Sequence, residues 1–157
     1  MRIDVHAHYI PSTIPELANR RGGFGPAANM RDSMSDLDQR VHDMDERGID
    51  IELVSAPPYV QNSDPDVCRR MNDATAEAIA GSSRLIGLAT VPMQEPEVAA
   101  SELERCVKDL GFRGLEILTN VNGENLHASR FGPLYRKMQE LDVAAFVHPQ
   151  NVLGADR

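Results

Sequence analysis

The sequence has little of what marks several large classes of protein. Tryptophan is absent, and aromatic residues make up only 4% of the 157 residues. No apolar run approaches the roughly 20 residues that a membrane-spanning helix needs. The opening MRIDVHAH carries no apolar segment of the secretory kind. We therefore expect a cytoplasmic protein without a membrane partner.

Positive charge is also scarce. Lysine and arginine together number 16 against 24 aspartates and glutamates, so the formal net charge is −8. Such a charge repels phosphate backbones. The composition therefore predicts that nucleic acid is not a partner.

Cysteine occurs twice, as Cys68 and Cys106, and both residues fall in helical patterns. Two thiols make neither a disulfide framework nor a zinc knuckle. We interpret both as small hydrophobic residues of the core.

What the sequence does contain is an alternation of short β-branched runs with longer amphipathic segments. Apolar residues make up 41% of the chain, enough for one domain over residues 1–157 with a sizeable core. Five strands are predicted to begin near Arg2, Ile51, Leu85, Gly114 and Val143. Four helices are predicted between them: from an N-cap at Ser35 to Gly48, from Pro65 to Ala80, from Pro96 to Gly111, and over Phe131 to Leu141.

Strict alternation of strands and helices predicts a parallel sheet with right-handed crossovers. A (β/α)8 TIM barrel of about 250 residues allots roughly 31 residues to each unit. The predicted strands start near positions 3, 51, 85, 114 and 143, at intervals of 48, 34, 29 and 29. We therefore favour the first five units of an α/β barrel. A five-stranded doubly wound sheet also accepts this pattern and stays open as the alternative.

Three histidines are placed where a barrel carries its chemistry. His6 and His8 lie two apart on the first strand, so their side chains share a face, and Asp4 lies one step deeper. His148, followed by Pro149, ends the fifth strand. The carboxyl ends of barrel strands form one rim. The pattern predicts that the three imidazoles converge there on one metal ion, with Asp4 either orienting a ligand histidine or satisfied by backbone groups.

The two remaining histidines have simpler interpretations. His42 lies on the first predicted helix, where a solvated side chain is the usual case. His127 precedes the fourth helix, where capping or plain exposure accounts for it. We expect neither to bind metal.

Three segments of the chain resemble a known family. They are IDVHAHYIP at the start, LIGLATVPMQEPEVAASELERCVKDLGFRGLEILTNVNG in the middle, and FVHP near the end. Together they resemble the metal-dependent decarboxylase branch of the amidohydrolase superfamily, which includes the aminocarboxymuconate-semialdehyde decarboxylases. The likeness runs from residue 1 to about residue 150. Members of that branch are complete barrels of roughly twice this length, so the chain resembles their N-terminal half.

The resemblance implies a ligand set and a gap in it. It implies that His6, His8 and His148 bind one divalent ion, most often Zn²⁺, with Mn²⁺ as the alternative. It also implies an acid/base histidine on a sixth strand and an aspartate ligand on an eighth strand, both beyond Arg157. We therefore assign no catalytic acid or base within these residues.

Lysine is rare, and its positions favour a single metal ion. Binuclear amidohydrolases bridge two ions with a carboxylated lysine that ends the fourth strand, where this chain reads LTNVNG. Its only lysines, Lys108 and Lys137, fall in helical patterns.

The first βα connection is long and extends from residue 9 to about residue 35, over the rim where substrate would enter. It contains Arg31, which by resemblance matches an arginine that holds a substrate carboxylate. The planar guanidinium suits that task. Arg31 is therefore the candidate substrate-binding residue.

Three functions remain open at this point. The first is a carbon–carbon lyase that decarboxylates a small unsaturated or aromatic carboxylic acid. The second is a hydrolase of a lactone or amide that uses the same metal site. The third is a catalytically incomplete half-barrel fragment, whose exposed strand edges and apolar interior would favour association into a homo-oligomer.

Overall fold

The computed structural model describes residues 1–11, 13–14, 34–61 and 63–149. Its elements follow the predicted alternation of strands and helices. Their bounds are β1 Ile3–His8, α1 Leu37–Arg47, β2 Ile51–Ser55, α2 Pro65–Ile79, β3 Leu85–Gly87, β4 Ala89–Thr90, α3 Pro96–Lys108, β5 Gly114–Leu118, β6 Asn120–Val121, β7 Glu124–Asn125, a 3₁₀ helix Ser129–Phe131, α4 Gly132–Leu141 and β8 Ala144–His148.

The parallel strands stand side by side in the order in which they occur along the chain. β1 pairs with β2 and β2 with β3, while β4 pairs with β5 and β5 with β8. Doubly wound sheets place a later strand beside an earlier one at a switch point, whereas barrel strands follow in sequence. The strand order therefore supports the barrel prediction over the doubly wound alternative.

The third predicted strand is divided at Leu88. Among the described strands, its first part, β3, pairs with β2 alone, and its second part, β4, pairs with β5 alone. The amide of Leu88 donates to the carbonyl of Val54 at 2.9 Å. One chain segment thus joins the two three-stranded sheets.

The helix ends match the prediction in part. Gly48 ends α1 in the left-handed conformation, with φ 63°, where a residue without a Cβ meets no steric penalty. The predicted N-cap at Ser35 is wrong. Asp36 caps the helix, because its backbone is extended and its carboxylate accepts from the amide of Gln39 at 2.9 Å.

A short antiparallel hairpin that the sequence analysis did not predict follows β5. β6 pairs with β7, and Asn122 and Gly123 at its turn have φ values of 53° and 83°. Positive φ at both central positions is typical of a two-residue Asn-Gly hairpin. That dipeptide was the available signal.

The main hydrophobic core joins the strands to the helices. Helices α2 and α3 contact the third strand, and α3 packs against α4. Fully buried members of this core include Met44, Val54, Leu103, Cys106, Phe112, Leu115 and Leu134. Cys68 is also buried, and both cysteines are free thiols whose pKa is raised by burial. This agrees with their interpretation as core residues.

The two outermost strands of the described sheets, β1 and β8, carry exposed apolar side chains. Ile3, Val5 and Val147 are 43%, 51% and 44% exposed. Among the described residues, each of these strands pairs with a single neighbour. Both of these edge strands therefore carry apolar side chains that are open to solvent.

Within the described ranges, no helix is both long enough and apolar enough to cross a membrane.

Candidate metal centre

The three predicted histidines form one cluster at the carboxyl ends of β1 and β8. The Nε2 atoms of His6 and His8 lie 3.1 Å apart. The ring centroid of His148 lies 4.9 Å from that of His6 and 5.4 Å from that of His8. Each residue offers a ring nitrogen within 4.8 Å of the others. The structure therefore brings together all three side chains that the sequence pattern selected.

Strand β1 reaches this arrangement through an irregularity. Its register against β2 shifts between Asp4 and Ala7, so that β1 holds one residue more than β2 over this stretch. A bulge of this kind re-aims side chains and often lies beside a functional site. The Asp4 carboxylate accepts from the backbone amide of His6 at 3.1 Å, which agrees with its interpretation as a carboxylate satisfied by backbone groups.

Strand β8 holds His148 through its pairing with β5. Leu118 lies opposite His148, and the amide of Thr119 donates to the carbonyl of His148 at 3.2 Å. In the same strand, Phe146 stacks on His6 with ring centroids 4.6 Å apart. The β5 ladder and this stacking together fix β8 against the face of β1.

The electrostatics of the cluster keep two of its imidazoles neutral. Burial, followed by the neighbouring His6 and His148, lowers the pKa of His8 to about 4. Burial and His6 also lower the pKa of His148. Metal ligation needs a neutral ring with a free lone pair. His8 and His148 are thus already in the ligating charge state at neutral pH.

The donor set fits a divalent transition metal. Two nitrogen ligands at about 2.0 to 2.1 Å from a tetrahedral zinc ion stand about 3.3 Å apart, close to the separation of the His6 and His8 nitrogens. Imidazole nitrogens suit zinc and other first-row divalent ions. Among the described residues, three side chains offer ligand nitrogens, which is the number of protein ligands in catalytic zinc sites.

A buried ion pair anchors the end of β1 to the first helix. Arg40 of α1 pairs with Glu52 of β2, and both side chains are largely buried. The Arg40 Nη2 donates to the backbone carbonyl of His8 at 2.6 Å. This contact restrains the backbone that carries the cluster.

A buried polar network that no sequence pattern had indicated lies beneath the cluster. Ser55 Oγ donates to Glu116 Oε2 at 2.6 Å and lies 3.3 Å from His8 Nδ1. Gln61 Nε2 lies within 3.5 Å of Glu116 Oε1 and of Thr90 Oγ1. Burial raises the pKa of Glu116 to about 7. A glutamate inside the apolar run GLEIL was the one available sequence signal for this network. Carboxylates are rarely buried without partners, so a glutamate in a buried strand indicates polar groups around it.

The remaining predicted positions lie outside the cluster. His42 and His127 are exposed, and His42 faces Glu46 on the same helix. Lys108 and Lys137 lie in α3 and α4 and pair with glutamates. Arg31, the candidate substrate-binding residue, falls outside the described residues.

The sequence is similar to known proteins over nearly its whole length. The profile of the Amidohydrolase family matches residues 3–155. The 2-amino-3-carboxymuconate-6-semialdehyde decarboxylase of Dictyostelium discoideum is 30% identical over 100% of this chain and 51% of its own length. The gamma-resorcylate decarboxylase of Polaromonas sp. JS666 is 38% identical over 85% of this chain and 46% of its own length.

Solved structures agree. A dihydroxybenzoic acid decarboxylase from Polaromonas sp. JS666, with bound manganese and the inhibitor 2-nitroresorcinol, superposes with a TM-score of 0.81 and 35% identity. The superposition covers 99% of this chain and 51% of the chain of that decarboxylase. The 5-carboxyvanillate decarboxylase of Sphingomonas paucimobilis has a TM-score of 0.81 and 25% identity, with 95% of this chain and 52% of that chain covered. The chain thus spans about half the length of the relatives it matches.

Proposed function

This chain belongs to the amidohydrolase family, and from that membership we propose that its protein is a metal-dependent decarboxylase. The reaction is that of a carbon–carbon lyase on a small unsaturated or aromatic carboxylic acid. The observation that carries the proposal is the convergence of His6, His8 and His148 at one strand edge. Relatives whose names describe decarboxylation of aromatic carboxylic acids support this substrate class.

We assign one divalent ion to the three histidines. Zn²⁺ suits three imidazole ligands. Mn²⁺ is supported by the manganese bound in two related decarboxylases. When bound, either ion supplies a Lewis acid that orients and polarises an oxygen of the substrate.

The residues of this chain hold and position the reactants. His6, His8 and His148 present their nitrogens from two strands. Arg31 is proposed to bind a substrate carboxylate through its planar guanidinium. In the reaction, the bond between the carboxylate group and the ring or alkene carbon that bears it breaks, and carbon dioxide leaves. The electron pair left on that ring or alkene carbon takes up a proton.

Metal binding tests the ligand assignment directly. Equilibrium dialysis of the chain against Zn²⁺ or Mn²⁺ should give about one ion per chain. The double variant His6→Ala/His8→Ala should lose it. The matched double variant His42→Ala/His127→Ala removes two exposed histidines and should retain it. Retention of the ion by the first variant would overturn the assignment.

The reaction is tested on the complete protein. We expect metal-dependent release of carbon dioxide from an aromatic acid such as 2,6-dihydroxybenzoate. Chromatography of the decarboxylated product measures this reaction. Chelation should abolish the release and added metal should restore it. Hydrolysis of lactones or amides without any decarboxylation across a panel of aromatic and unsaturated acids would overturn the proposal in favour of a hydrolase.

A further inference from the structure

Ser55 lies between a metal-site histidine and a buried carboxylate. Its Oγ is 3.3 Å from His8 Nδ1 on one side and 2.6 Å from Glu116 Oε2 on the other. Ser55 is 1% exposed and Glu116 is 0% exposed. Water therefore has little access to this chain of contacts.

The single proton of the Ser55 hydroxyl decides the direction of these contacts. A hydroxyl donates one hydrogen bond and accepts through two lone pairs. The short contact with a carboxylate, which only accepts when ionised, takes that proton. The alternative acceptor, the carbonyl of Ala7, is more distant at 3.4 Å. Ser55 therefore faces His8 with a lone pair.

A lone pair at this position requires a proton on the imidazole nitrogen opposite it. The neutral ring carries one N–H, so an Nδ1–H leaves Nε2 bare. Nε2 of His8 is the atom that lies 3.1 Å from Nε2 of His6. The backbone of Ser55 and Ala56 also favours a proton on this ring. The hydrogen-bond direction thus points the ligating lone pair into the cluster.

We propose that Glu116, acting through Ser55, holds His8 in the Nδ1–H tautomer and so presents its Nε2 lone pair for metal binding. Ser55 and Glu116 are positioning residues in this arrangement, since neither contacts the cluster centre itself. The inference rests on the proposed function in one respect, namely that the cluster binds a metal ion. The tautomer itself is a property of the metal-free chain.

The tautomer is read directly by long-range ¹H–¹⁵N NMR of the chain labelled at histidine, with metal removed by a chelator. At pH 8, above the pKa of about 7 of Glu116, its carboxyl is ionised. We expect the His8 spectrum of the parent chain to show the Nδ1–H pattern. An Nε2–H pattern in the parent chain would overturn the proposal without any variant.

Two substitutions of Glu116 separate its acceptor role from its bulk. Glu116→Leu leaves the Ser55 proton free to donate to His8, so the Nδ1–H population should fall. Glu116→Gln keeps a carbonyl oxygen that accepts from Ser55, so its Nδ1–H population should stay near that of the parent chain. The control is Glu102→Leu, which removes another buried carboxylate, one held by Asn72 and Arg105 away from the histidines. An unchanged His8 tautomer in folded Glu116→Leu would overturn the proposal.

Metal affinity gives the second readout. Competition of the chain with a chromophoric chelator for Zn²⁺ should show about tenfold weaker binding for Glu116→Leu. This is the lower end of the loss in affinity that follows removal of a hydrogen bond to a metal ligand. We expect the lower end because the backbone of Ser55 and Ala56 still favours a proton on the His8 ring. Glu116→Gln and Glu102→Leu should stay near the parent value. Failure of the parent chain to bind Zn²⁺, with the Nδ1–H tautomer intact, would reject the proposed metal function alone. Tight binding by an Nε2–H His8 would reject this inference alone.

Discussion

Glu116 is a carboxylate inside an otherwise apolar strand. Its contribution to the free energy of unfolding therefore depends on pH. Burial raises its pKa from the ordinary 4.5 to about 7 in the folded chain. The folded state therefore binds more protons than the unfolded state between these values, and the free energy of unfolding falls as pH rises from about 4.5 to 7. A difference of this size corresponds to about 3 kcal/mol.

Glu116→Gln should remove that dependence. We expect the metal-free variant and the parent chain to have similar free energies of unfolding at pH 5. At pH 8 the variant should be more stable by up to about 3 kcal/mol, because the amide carries no charge into the core. Urea unfolding at intervals between pH 5 and 8, with a chelator present, measures both curves.

Glu102→Gln is the control for this experiment. Burial raises the pKa of Glu102, but hydrogen bonds from Arg105 and Asn72 outweigh burial and hold that pKa below its ordinary value. Its loss should therefore destabilise the chain at pH 8 rather than stabilise it. Parallel pH curves for the parent chain and Glu116→Gln would show that Glu116 does not titrate in this range.

Arg31 is the other residue whose role can be isolated. In the complete protein, Arg31→Ala should lower kcat/KM for a carboxylate substrate by about 10- to 150-fold, because a charge-assisted contact is lost. Metal content and melting temperature should stay near the parent values. Arg31→Lys should recover little, since an ammonium lacks the planar fork.

Arg21→Ala, in the same loop, is the matched substitution for Arg31→Ala. It should leave kcat/KM close to the parent value. Full activity of Arg31→Ala together with a melting temperature several degrees lower would instead make Arg31 structural.

At the scale of elements, the proposed metal centre depends on how closely β8 approaches β5. Gly114 lies opposite Ala144 in this ladder. A Cβ at Gly114 would lie 2.6 Å from the carbonyl oxygen of Ala144, which is backbone and has little freedom to move. The strand pair that carries His148 therefore needs glycine at this position.

Gly114→Ala should push the two strands apart. We expect a loss of about 1 to 3 kcal/mol in the free energy of unfolding, as for overpacking in a core, and weaker binding of Zn²⁺ because His148 moves with β8. Gly81→Ala is the control, since a Cβ there would meet nothing within 4 Å. Equal stabilities of the two variants by urea unfolding would show that the strands adjust without cost.

At the scale of the whole molecule, the described strands follow each other in barrel order while the chain spans about half the length of its relatives. We expect residues 1–157 alone to bind metal but to show no decarboxylation. The reason is that the resemblance assigns the acid/base histidine and an acidic ligand to later strands. A product assay with Zn²⁺ or Mn²⁺ present tests this. Turnover by residues 1–157 would mean that groups within them, or a second copy, supply those roles.

Much of the fold and of the proposed metal centre followed from local patterns. Alternating β-branched runs and amphipathic segments determined the positions of the five strands and four helices, because periodicity records which side of an element is buried. The three histidines were identifiable because His8 and His148 end predicted strands and His6 shares a strand face with His8. The family resemblance followed from three contiguous segments of the sequence, which are recognisable without knowing how they pack.

Tertiary structure alone decided how distant segments meet. The division of the third strand at Leu88 depends on which neighbour each half pairs with. The contact of Ser55 with Glu116 joins residues 61 positions apart, and that of Ser55 with His8 joins residues 47 positions apart. No periodicity within one element encodes such contacts, because they arise only when separate strands pack in one sheet and bury their polar groups together. The sequence therefore determined which residues form the histidine cluster, and the packing of the strands decided which hydrogen bonds orient it.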